Sequence, residues 1–420
     1  LNLIDKILPI IEDQDYTIEI KDDRKDYDLK FESIDESYLS DINWPKTHPQ
    51  AGQPIVLRDY QVKVINEFIG NPQSLQEIAT GAGKTIITAA LSKMCEKYGR
   101  TIVIVPNKSL VGQTEEDYIT CGLDVGVYFG DRKELGHQHT ICTWQSLNIL
   151  HKKTKKAEAD FPLDEFLKDV VCVMVDEVHM AKADVLKTLL TGPFAQVPMR
   201  WGLTGTIPKE EYEKISLIAS LGKVINQLSA SELQEKGVLA QCHVNIIQTQ
   251  DFQTFRSYPE ELTYLTSFKP RLTFMGKLVD EIRSGGNTLI LVDRIKTGEL
   301  LKEEIPGSVF IQGKTKLETR EEEYQEVATE QYKVIIATYG VAAVGINLPR
   351  IFNLVLVEPG KSFVRVIQSI GRGIRKAEDK DYVQIWDITS SCKYSKRHLT
   401  ARKRFYKEAK YPYTVSKVKI

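Results

Sequence analysis

The sequence lacks long hydrophobic runs, paired cysteines and a biased composition, and each absence excludes a class of protein. Its longest apolar run, Val170–Val175, has the length of a buried strand, whereas a helix that spans a bilayer needs about 18 apolar residues. The six cysteines include no C-x-x-C pair, which is typical of reduced thiols in a cytoplasm-like compartment and not of a disulfide framework. Apolar residues make up 42% and charged residues 27% of the 420 positions, which excludes disordered and collagen-like proteins for most of the length.

The net charge of −1 conceals two oppositely charged ends. Residues 1–50 contain thirteen acidic side chains against six Lys and Arg, whereas residues 393–420 contain ten Lys and Arg against the single acid Glu408. A basic end on an otherwise balanced chain is compatible with a polyanion that binds there.

Short β-branched runs alternate with longer helical patterns, which predicts βαβ units and parallel sheets that are buried on both faces. Two such series indicate an α/β fold with two lobes, at residues 51–238 and 239–420, after an accessory α+β segment at residues 1–50. Within that segment we predict short strands at 16–20 and 27–31. The strands predicted for the lobes are 75–79, 101–105, 125–129, 140–143, 171–176, 199–203, 244–248, 288–292, 308–311, 333–337, 353–357 and 383–387, with helices at 84–98, 259–283 and 363–370.

A glycine-rich segment, A-T-G-A-G-K-T at residues 79–85, lies between a predicted strand and a predicted helix. Glycines let the backbone curl until its N–H groups and the helix N-terminus face an anion. Lys84 would reach the β- and γ-phosphates, and the hydroxyl of Thr85 would hold Mg²⁺. One departure is Ile78, which stands where the strict P-loop pattern has glycine. We therefore assign phosphate binding to Thr80, Gly81, Ala82, Gly83, Lys84 and Thr85.

A strand that ends in two adjacent carboxylates supplies the second half of this site. Residues 171–179 read V-C-V-M-V-D-E-V-H, so Asp176 and Glu177 follow the apolar run. We assign Asp176 to Mg²⁺ and Glu177 to orienting and deprotonating the attacking water. Together with the G-K-T loop, this pair predicts an ATPase that uses ATP and Mg²⁺.

With these two motifs the sequence resembles superfamily 2 helicases and translocases, and the resemblance extends over roughly residues 51–390. Residues 57–61 look like the family's adenine-reading segment, which implies ATP contacts for Arg58 and Gln61. Residues 176–179 are similar to the DExH form of motif II and residues 203–206 to motif III. The resemblance implies that they couple nucleotide state to the nucleic-acid groove through His179, Thr204 and Thr206.

Two further segments of the first lobe, residues 105–110 and 143–147, resemble strand-contacting motifs of the family. The resemblance implies DNA contacts for Pro106, Asn107, Thr143, Trp144 and Gln145. For Trp144 an alternative stays open, because a tryptophan that begins a helix more often packs in the core than on a base.

The second lobe resembles the family as well, at motifs IV, V and VI. Residues 289–294 imply DNA contacts for Asp293 and Arg294, and residues 337–349 imply a DNA contact for Thr338 and ATP contacts for Gly345 and Asn347. Residues 368–375, Q-S-I-G-R-G-I-R, are similar to motif VI and imply catalytic roles for Gln368, Arg372 and Arg375. The spacing of the two arginines predicts that both face one cleft from a single helical turn.

Within the superfamily, the acidic N-terminal piece, compact core and basic tail most resemble the UvsW-type branch-migration helicases of phages. The resemblance implies two RecA-like lobes that flank an ATP cleft, and a monomeric motor that remodels branched DNA such as forks, D-loops, R-loops or Holliday junctions. It also implies a cytoplasmic location, in the host if a phage encodes the protein, and recombination or single-strand-binding proteins as partners. Two alternatives stay open: the motor subunit of a restriction or defence complex, and an ATP-switched clamp that hydrolyses poorly.

The basic tail predicts a two-faced helix over residues 396–410. Its apolar face, which includes Arg402, should dock on the second lobe. The opposite face presents a cationic ridge, for which we expect DNA contacts from Lys396, Arg397, Lys403 and Arg404; the alternative is a solvated face without a partner.

Overall fold

The computed structural model describes residues 2–21, 27–46, 48, 50–180, 183–342, 348 and 350–420. Contacts between Cα atoms divide the chain into two compact units. The first contains Leu1–Ile78 and Ala82–Leu228, and the second contains Ala79–Gly81 and Ser229–Ile420. The predicted lobe boundary at 238–239 stays a prediction. No helix in these ranges is long and apolar enough to cross a membrane.

The first unit alternates strands and helices along the chain. Its helices are α1 (Ile4–Glu12), α2 (Asp59–Ile69), α3 (Lys84–Cys95), α4 (Lys108–Thr120), α5 (Trp144–Lys155), α6 (Leu163–Phe166), α7 (Ala183–Thr191) and α8 (Glu211–Leu221). Its strands are β1 (Gln73–Ile78), β2 (Arg100–Val105), β3 (Val125–Phe129), β4 (Arg132–Lys133), β5 (His139–Thr143), β6 (Val170–Val175), β7 (Met199–Thr204) and β8 (Lys223–Leu228).

The second unit repeats this alternation. Its helices are α9 (Ala230–Glu235), α10 (Tyr258–Ser267), α11 (Lys269–Ile282), α12 (Ile295–Glu304), α13 (Leu317–Thr329), α14 (Tyr339–Ala342), α15 (Phe363–Gly373) and α16 (Lys393–Glu408). Its strands are β9 (Gln241–Thr249), β10 (Thr288–Val292), β11 (Val309–Ile311), β12 (Val334–Thr338), β13 (Asn353–Val357), β14 (Tyr382–Ser390) and β15 (Tyr413–Val418).

Each unit is built on one sheet. The first sheet has the order β4-β3-β5-β2-β6-β7-β1-β8, and all its pairs are parallel except β3 with β4. The second has the order β11-β12-β10-β13-β14-β9-β15 and is parallel throughout. The fold is therefore α/β with two parallel sheets, as the alternation predicts. Every predicted lobe strand is present, with ends that shift by a few residues, while β4, β8 and β15 were not predicted.

The accessory segment differs from its prediction. Residues 16–20 and 27–31 form no strand; within the described part of residues 1–50, the regular element is α1. At Lys30 the phenol of Tyr98 accepts a hydrogen bond from the backbone N–H (2.9 Å) and donates one to the carbonyl. Because a side chain satisfies both backbone groups, this residue needs no strand partner. The predicted helix at 259–283 is also divided, since Phe268 adopts an extended conformation between α10 and α11.

Helix α16 docks on the second unit through a buried ion pair. Arg402 and Asp387 are both fully buried, and the guanidinium contacts both carboxylate oxygens at 2.8 and 2.9 Å. Arg402 also donates to the carbonyl of Gly360 (2.7 Å), and the Tyr406 hydroxyl donates to Asp387 (2.7 Å). Lys396, Arg397, Arg404 and Lys407 are exposed on the opposite side. These positions agree with the predicted docking face and basic face, except that Lys403 of the basic face is half-buried.

The ion pair leads to a stability prediction. Arg402→Ala should lower the free energy of unfolding by about 3–5 kcal/mol, because it leaves the Asp387 carboxylate buried without its cation. Arg404→Ala, on the exposed face of the same helix, is the matched control and should change it by less than about 0.5 kcal/mol. Urea denaturation of both variants provides the measurement; equal stabilities would contradict a structural role for the pair.

Candidate active site

The glycine-rich segment forms the turn between β1 and α3. Gly81 and Gly83 have φ angles of +91° and +78°, a conformation that favours glycine. A Cβ atom on Gly83 would lie 2.6 Å from Nε2 of Gln61, so no larger residue fits without displacing that side chain. The turn ends at the N-terminus of α3, where unpaired backbone N–H groups attract anions. This is the local geometry that a phosphate group requires.

The segment that precedes β1 supports this turn from behind. The side chains of Gln61 and Tyr60 each donate a hydrogen bond to the carbonyl of Ala82, at 3.0 and 3.1 Å. Arg58 donates to the Tyr60 hydroxyl (2.8 Å), and its N–H binds Oε1 of Gln61 (2.9 Å). Arg58 and Gln61 therefore lie beside the P-loop, and their contact with the adenine base stays a prediction. Sequence reasoning missed Tyr60, although it lies inside the motif.

The two carboxylates follow the end of β6. Nζ of Lys84 lies 3.2 Å from Oε1 of Glu177, whose Oε2 accepts a hydrogen bond from the N–H of Gly205 (3.3 Å). Oδ1 of Asp176 accepts the N–H of Glu177 (2.9 Å), and Glu177 itself has a φ of +48°. Burial is the main cause that raises the pKa of Asp176, and the negative charge of Glu177 raises it further. The charge of Lys84 and the hydrogen bond from the Glu177 N–H act in the opposite direction. The structure thus brings Lys84, Asp176 and Glu177 together.

A hydrogen-bonded chain connects motif II with motif III. Nδ1 of His179 lies 2.7 Å from Oγ1 of Thr204 and 3.6 Å from Oε2 of Glu177. Oγ1 of Thr204 donates to the carbonyl of Thr206 (2.9 Å) and accepts its N–H (3.2 Å). His179, Thr204 and Thr206 therefore lie in one hydrogen-bonded network, and their coupling of nucleotide state to the nucleic-acid groove stays a prediction.

The oxygen atoms at this edge suit Mg²⁺, which prefers oxygen ligands and is commonly bound by one or two carboxylates plus substrate phosphates. The hydroxyl of Thr85, at the start of α3, and the carboxylate of Asp176 are of this type. Asp117 of α4 lies near Thr85, and sequence reasoning missed Asp117 because the proximity is non-local. Burial, with a smaller effect of Glu116, raises the pKa of Asp117 to about 6, while Thr85 opposes the rise. The residues present therefore fit a magnesium ion.

The residues predicted to contact DNA in the first unit follow two other strands. Pro106 and Asn107 come after β2, where Asn107 caps α4 by accepting the N–H of Leu110 (3.1 Å). Thr143 ends β5 and caps α5, while Nε2 of Gln145 donates to the carbonyl of Pro106 (3.2 Å). Trp144 packs, partly buried, against the apolar core of the unit, which favours its interpretation as a core residue. The two segments therefore lie side by side at one sheet edge.

In the second unit, the motif IV residues already have protein partners. Asp293 pairs with Arg365 at 2.8 Å, and Arg294 donates to the Thr263 hydroxyl (2.5 Å) and the Pro259 carbonyl (3.3 Å). Thr338 ends β12, half-buried. Gly345 and Asn347 lie outside the described residues.

Motif VI departs from its predicted geometry. Gln368 and Arg372 are within α15, but this helix ends at Gly373 and Arg375 lies beyond it, in a bridge to Leu239. The two arginines are therefore not presented by a single helical turn. Lys380, missed by sequence reasoning, is buried and donates from Nζ to the carbonyls of Gly373 and Arg375, at 2.5 and 2.7 Å. It caps the C-terminal end of α15 and fixes the backbone of Arg375.

Family models match both units. Residues 54–209 match the family described as "Type III restriction enzyme, res subunit", and residues 271–377 match "Helicase conserved C-terminal domain". The chain belongs to superfamily 2 of the helicases, a class of enzymes driven by ATP hydrolysis.

Within this class the chain is similar to ATP-dependent DNA helicase UvsW of Enterobacteria phage T4, with 24% identity over 370 residues that cover 82% of this chain and 71% of UvsW. It is 23% identical to DNA 3'-5' helicase XPB of Mycobacterium tuberculosis, over 86% of this chain and 65% of that protein. Among solved structures, the chain is similar to helicase Lhr of Mycobacterium smegmatis, with a TM-score of 0.58 and 16% identity. The match covers 84% of this chain and 48% of the Lhr chain. At that identity the structural likeness shows the fold alone.

The carboxylate pair leads to a prediction about turnover. Glu177→Gln should slow ATP hydrolysis by roughly 10²–10⁴-fold, the contribution of a general base, while nucleotide binding persists because Lys84, Thr85 and Asp176 are unchanged. Lys84→Ala should instead weaken nucleotide binding itself. Hydrolysis assays and titration with a fluorescent ATP analogue measure the two effects; wild-type turnover in Glu177→Gln would refute the assignment.

Proposed function

We propose that this protein is an ATP-dependent DNA helicase or translocase that remodels branched DNA, such as forks, D-loops, R-loops or Holliday junctions, in recombination, repair or replication. The observation that supports the motor chemistry most directly is the 3.2 Å pairing of Lys84 with Glu177 beside Asp176. The names of its relatives, DNA helicases at 24% and 23% identity, support DNA as the substrate.

In the proposed reaction, the P-loop N–H groups and Lys84 bind the phosphates of ATP. Thr85 and Asp176 would hold Mg²⁺, which supplies positive charge to the phosphate oxygens. Glu177 orients the attacking water and accepts its proton. In the structure, Lys84 and the N–H of Gly205 each contact one carboxylate oxygen of Glu177.

Motif VI would complete the site. Phosphoryl transfer builds negative charge on the γ-phosphate, and an arginine that stabilises it contributes ~10³–10⁵-fold in related NTPases. We assign this role to Arg372 and Arg375, with Gln368, Gly345 and Asn347 as supporting contacts. ATP would then join the two lobes, and hydrolysis would release them, which is how a motor of this class steps.

DNA would follow the strand ends that carry the strand-contacting motifs. Most such contacts are to phosphates, which position the duplex but carry no sequence information. The exposed ridge of α16 adds Lys396, Arg397 and Arg404, with the half-buried Lys403 beside them. We propose a monomeric motor of the cytoplasm, in the host if a phage encodes it, that meets recombination or single-strand-binding proteins on its substrate.

The motor subunit of a restriction complex is a second candidate, because the family model matched by residues 54–209 carries that description. It would need a nuclease or methylase partner, and its ATPase would respond to duplex DNA. An ATP-switched clamp would bind DNA but turn over slowly, which the pairing of Lys84 with Glu177 argues against.

The substrate prediction separates these candidates. ATP hydrolysis is measured with single-stranded DNA, blunt duplex, forked DNA and RNA of equal length. A branch-remodelling motor should be stimulated most by forked DNA and should convert it in an ATP-dependent way. If blunt duplex stimulates ATP hydrolysis most, the restriction motor is favoured. Slow ATP hydrolysis with every DNA would favour the clamp. Stimulation by RNA alone would overturn DNA as the substrate class.

The basic ridge leads to a salt-dependence prediction. Neutralising Lys396, Lys403, Arg404 and Lys407 together should weaken duplex binding and reduce its log–log salt slope by about 0.9 for each lost phosphate contact. Nucleotide binding should not change. A matched control removes four exposed lysines elsewhere on the unit: Lys277, Lys302, Lys314 and Lys316. An unchanged salt slope in the ridge variant would show that these side chains face solvent and do not contact DNA.

A further inference from the structure

An exposed aromatic side chain stands at the carboxyl edge of the second sheet, outside every motif discussed above. Phe252 is 90% exposed, on the loop that follows β9. Single apolar residues on a surface are common and need no explanation by themselves. The surroundings of Phe252 are what distinguish it.

The loop that carries Phe252 is tied down on both sides of it. On one side, the Ser391 hydroxyl accepts the N–H of Asp251 and donates to its carbonyl, both at 2.9 Å. On the other side, the Tyr394 hydroxyl donates to the carbonyl of Arg256 (2.7 Å). Because the backbone is already held at both ends, a ligand that contacts Phe252 would lose little free energy in ordering the loop.

Aromatic rings and exposed basic side chains lie in the segments that contact or follow the loop. The rings of Tyr258 and His398 meet edge to face with centroids 4.5 Å apart, and Tyr394 lies 6.4 Å from Tyr258. The side chains of four basic residues in the adjoining segments are exposed to solvent: Arg256, Lys361, Lys393 and Arg397.

Two acids lie in the same region: Asp251, which is turned towards the sheet, and Glu260, which is exposed beside Arg256. The carboxylate of Asp251 accepts hydrogen bonds from Ser390 (2.6 Å) and Thr249 (2.7 Å), which turn it towards the sheet. Glu260 accepts the N–H of Arg256 (3.2 Å). The surface presented to solvent therefore combines aromatic faces with positive charge, the combination that binds single-stranded nucleic acid.

This surface also adjoins motif IV. Arg294 binds Pro259 and Thr263 of α10, the helix that begins directly after the loop. Helix α10 therefore connects the loop of Phe252 with motif IV within the same unit.

We propose that Phe252 is a stacking platform for an unpaired base of single-stranded DNA, with Arg256, Lys393 and Arg397 contacting the adjacent phosphates. The inference rests on the proposed function for the identity of the ligand. Base faces are hidden within a duplex and open where strands separate, so this platform would contact the unpaired strand at a branch.

The first test compares variants for binding to an oligothymidylate. Phe252→Ala should weaken binding on the order of tenfold, within the range of one stacked base. Phe252→Trp should restore it, whereas Phe252→Leu, apolar but without a ring, should not. Tyr332→Ala, which removes another exposed aromatic side chain just before β12, at the opposite edge of the same sheet, is the matched control and should bind like the wild type.

The second test uses an abasic oligonucleotide of the same length, which keeps the phosphates but has no bases. The wild type and Phe252→Ala should bind this probe equally, because the platform has nothing to stack on. Arg256→Ala with Lys393→Ala should weaken binding to both probes, since phosphate contacts do not depend on the bases.

The outcomes separate this inference from the proposed function. If wild type and Phe252→Ala bind oligothymidylate equally, the platform is overturned. The platform is also overturned if Phe252→Ala loses as much affinity for the abasic probe as for oligothymidylate. In either case, ATP hydrolysis that DNA stimulates would leave the motor assignment intact. A wild type whose ATPase ignores every DNA would instead overturn the proposed function.

Discussion

The active-site chemistry depends on a constraint of strand order. In the first sheet, β6, β7 and β1 are hydrogen-bonded neighbours and all run parallel. Their carboxyl ends therefore reach the same edge, and each delivers a different motif: the P-loop after β1, the two acids after β6 and motif III after β7. Lys84 is largely buried there, and a buried cation is tolerated only with a partner, which Glu177 provides at 3.2 Å.

In the second unit, buried ion pairs attach the C-terminal helix to the sheet. The pairs Arg402–Asp387 and Arg271–Glu358 are both buried. Glu358 also accepts a hydrogen bond from the hydroxyl of Ser395 (3.0 Å) in α16. These contacts hold the C-terminal helix on Glu358, directly after β13, and on Asp387, within β14, and they fix the position of its exposed basic face. The same contacts bring Tyr394 to the loop of Phe252. The docking of α16 therefore positions both the proposed basic ridge and the proposed stacking platform.

Some sequence predictions failed where local patterns meet long-range partners. The alternation at 16–20 and 27–31 is too short to specify a strand when a side chain such as that of Tyr98 can satisfy the backbone instead. The spacing of Arg372 and Arg375 predicts one helical face, but the helix ends between them, at Gly373, where Lys380 binds the terminal carbonyl. The DNA contact predicted for Arg294 stays a prediction, while its contacts with Thr263 and Pro259 depend on packing that no local pattern encodes.

The sequence by itself determined the α/β fold, nearly every strand of both sheets and the chemical identity of the site residues, because periodicity and short motifs are local properties. It also predicted the two faces of α16, since helical geometry assigns residues to faces without knowledge of the partner. Only the tertiary structure decided which side chains contact each other, such as Lys84 with Glu177, His179 with Thr204, and Arg402 with Asp387. These contacts join segments far apart in the chain, and the free energy that selects them comes from burial and charge pairing in three dimensions.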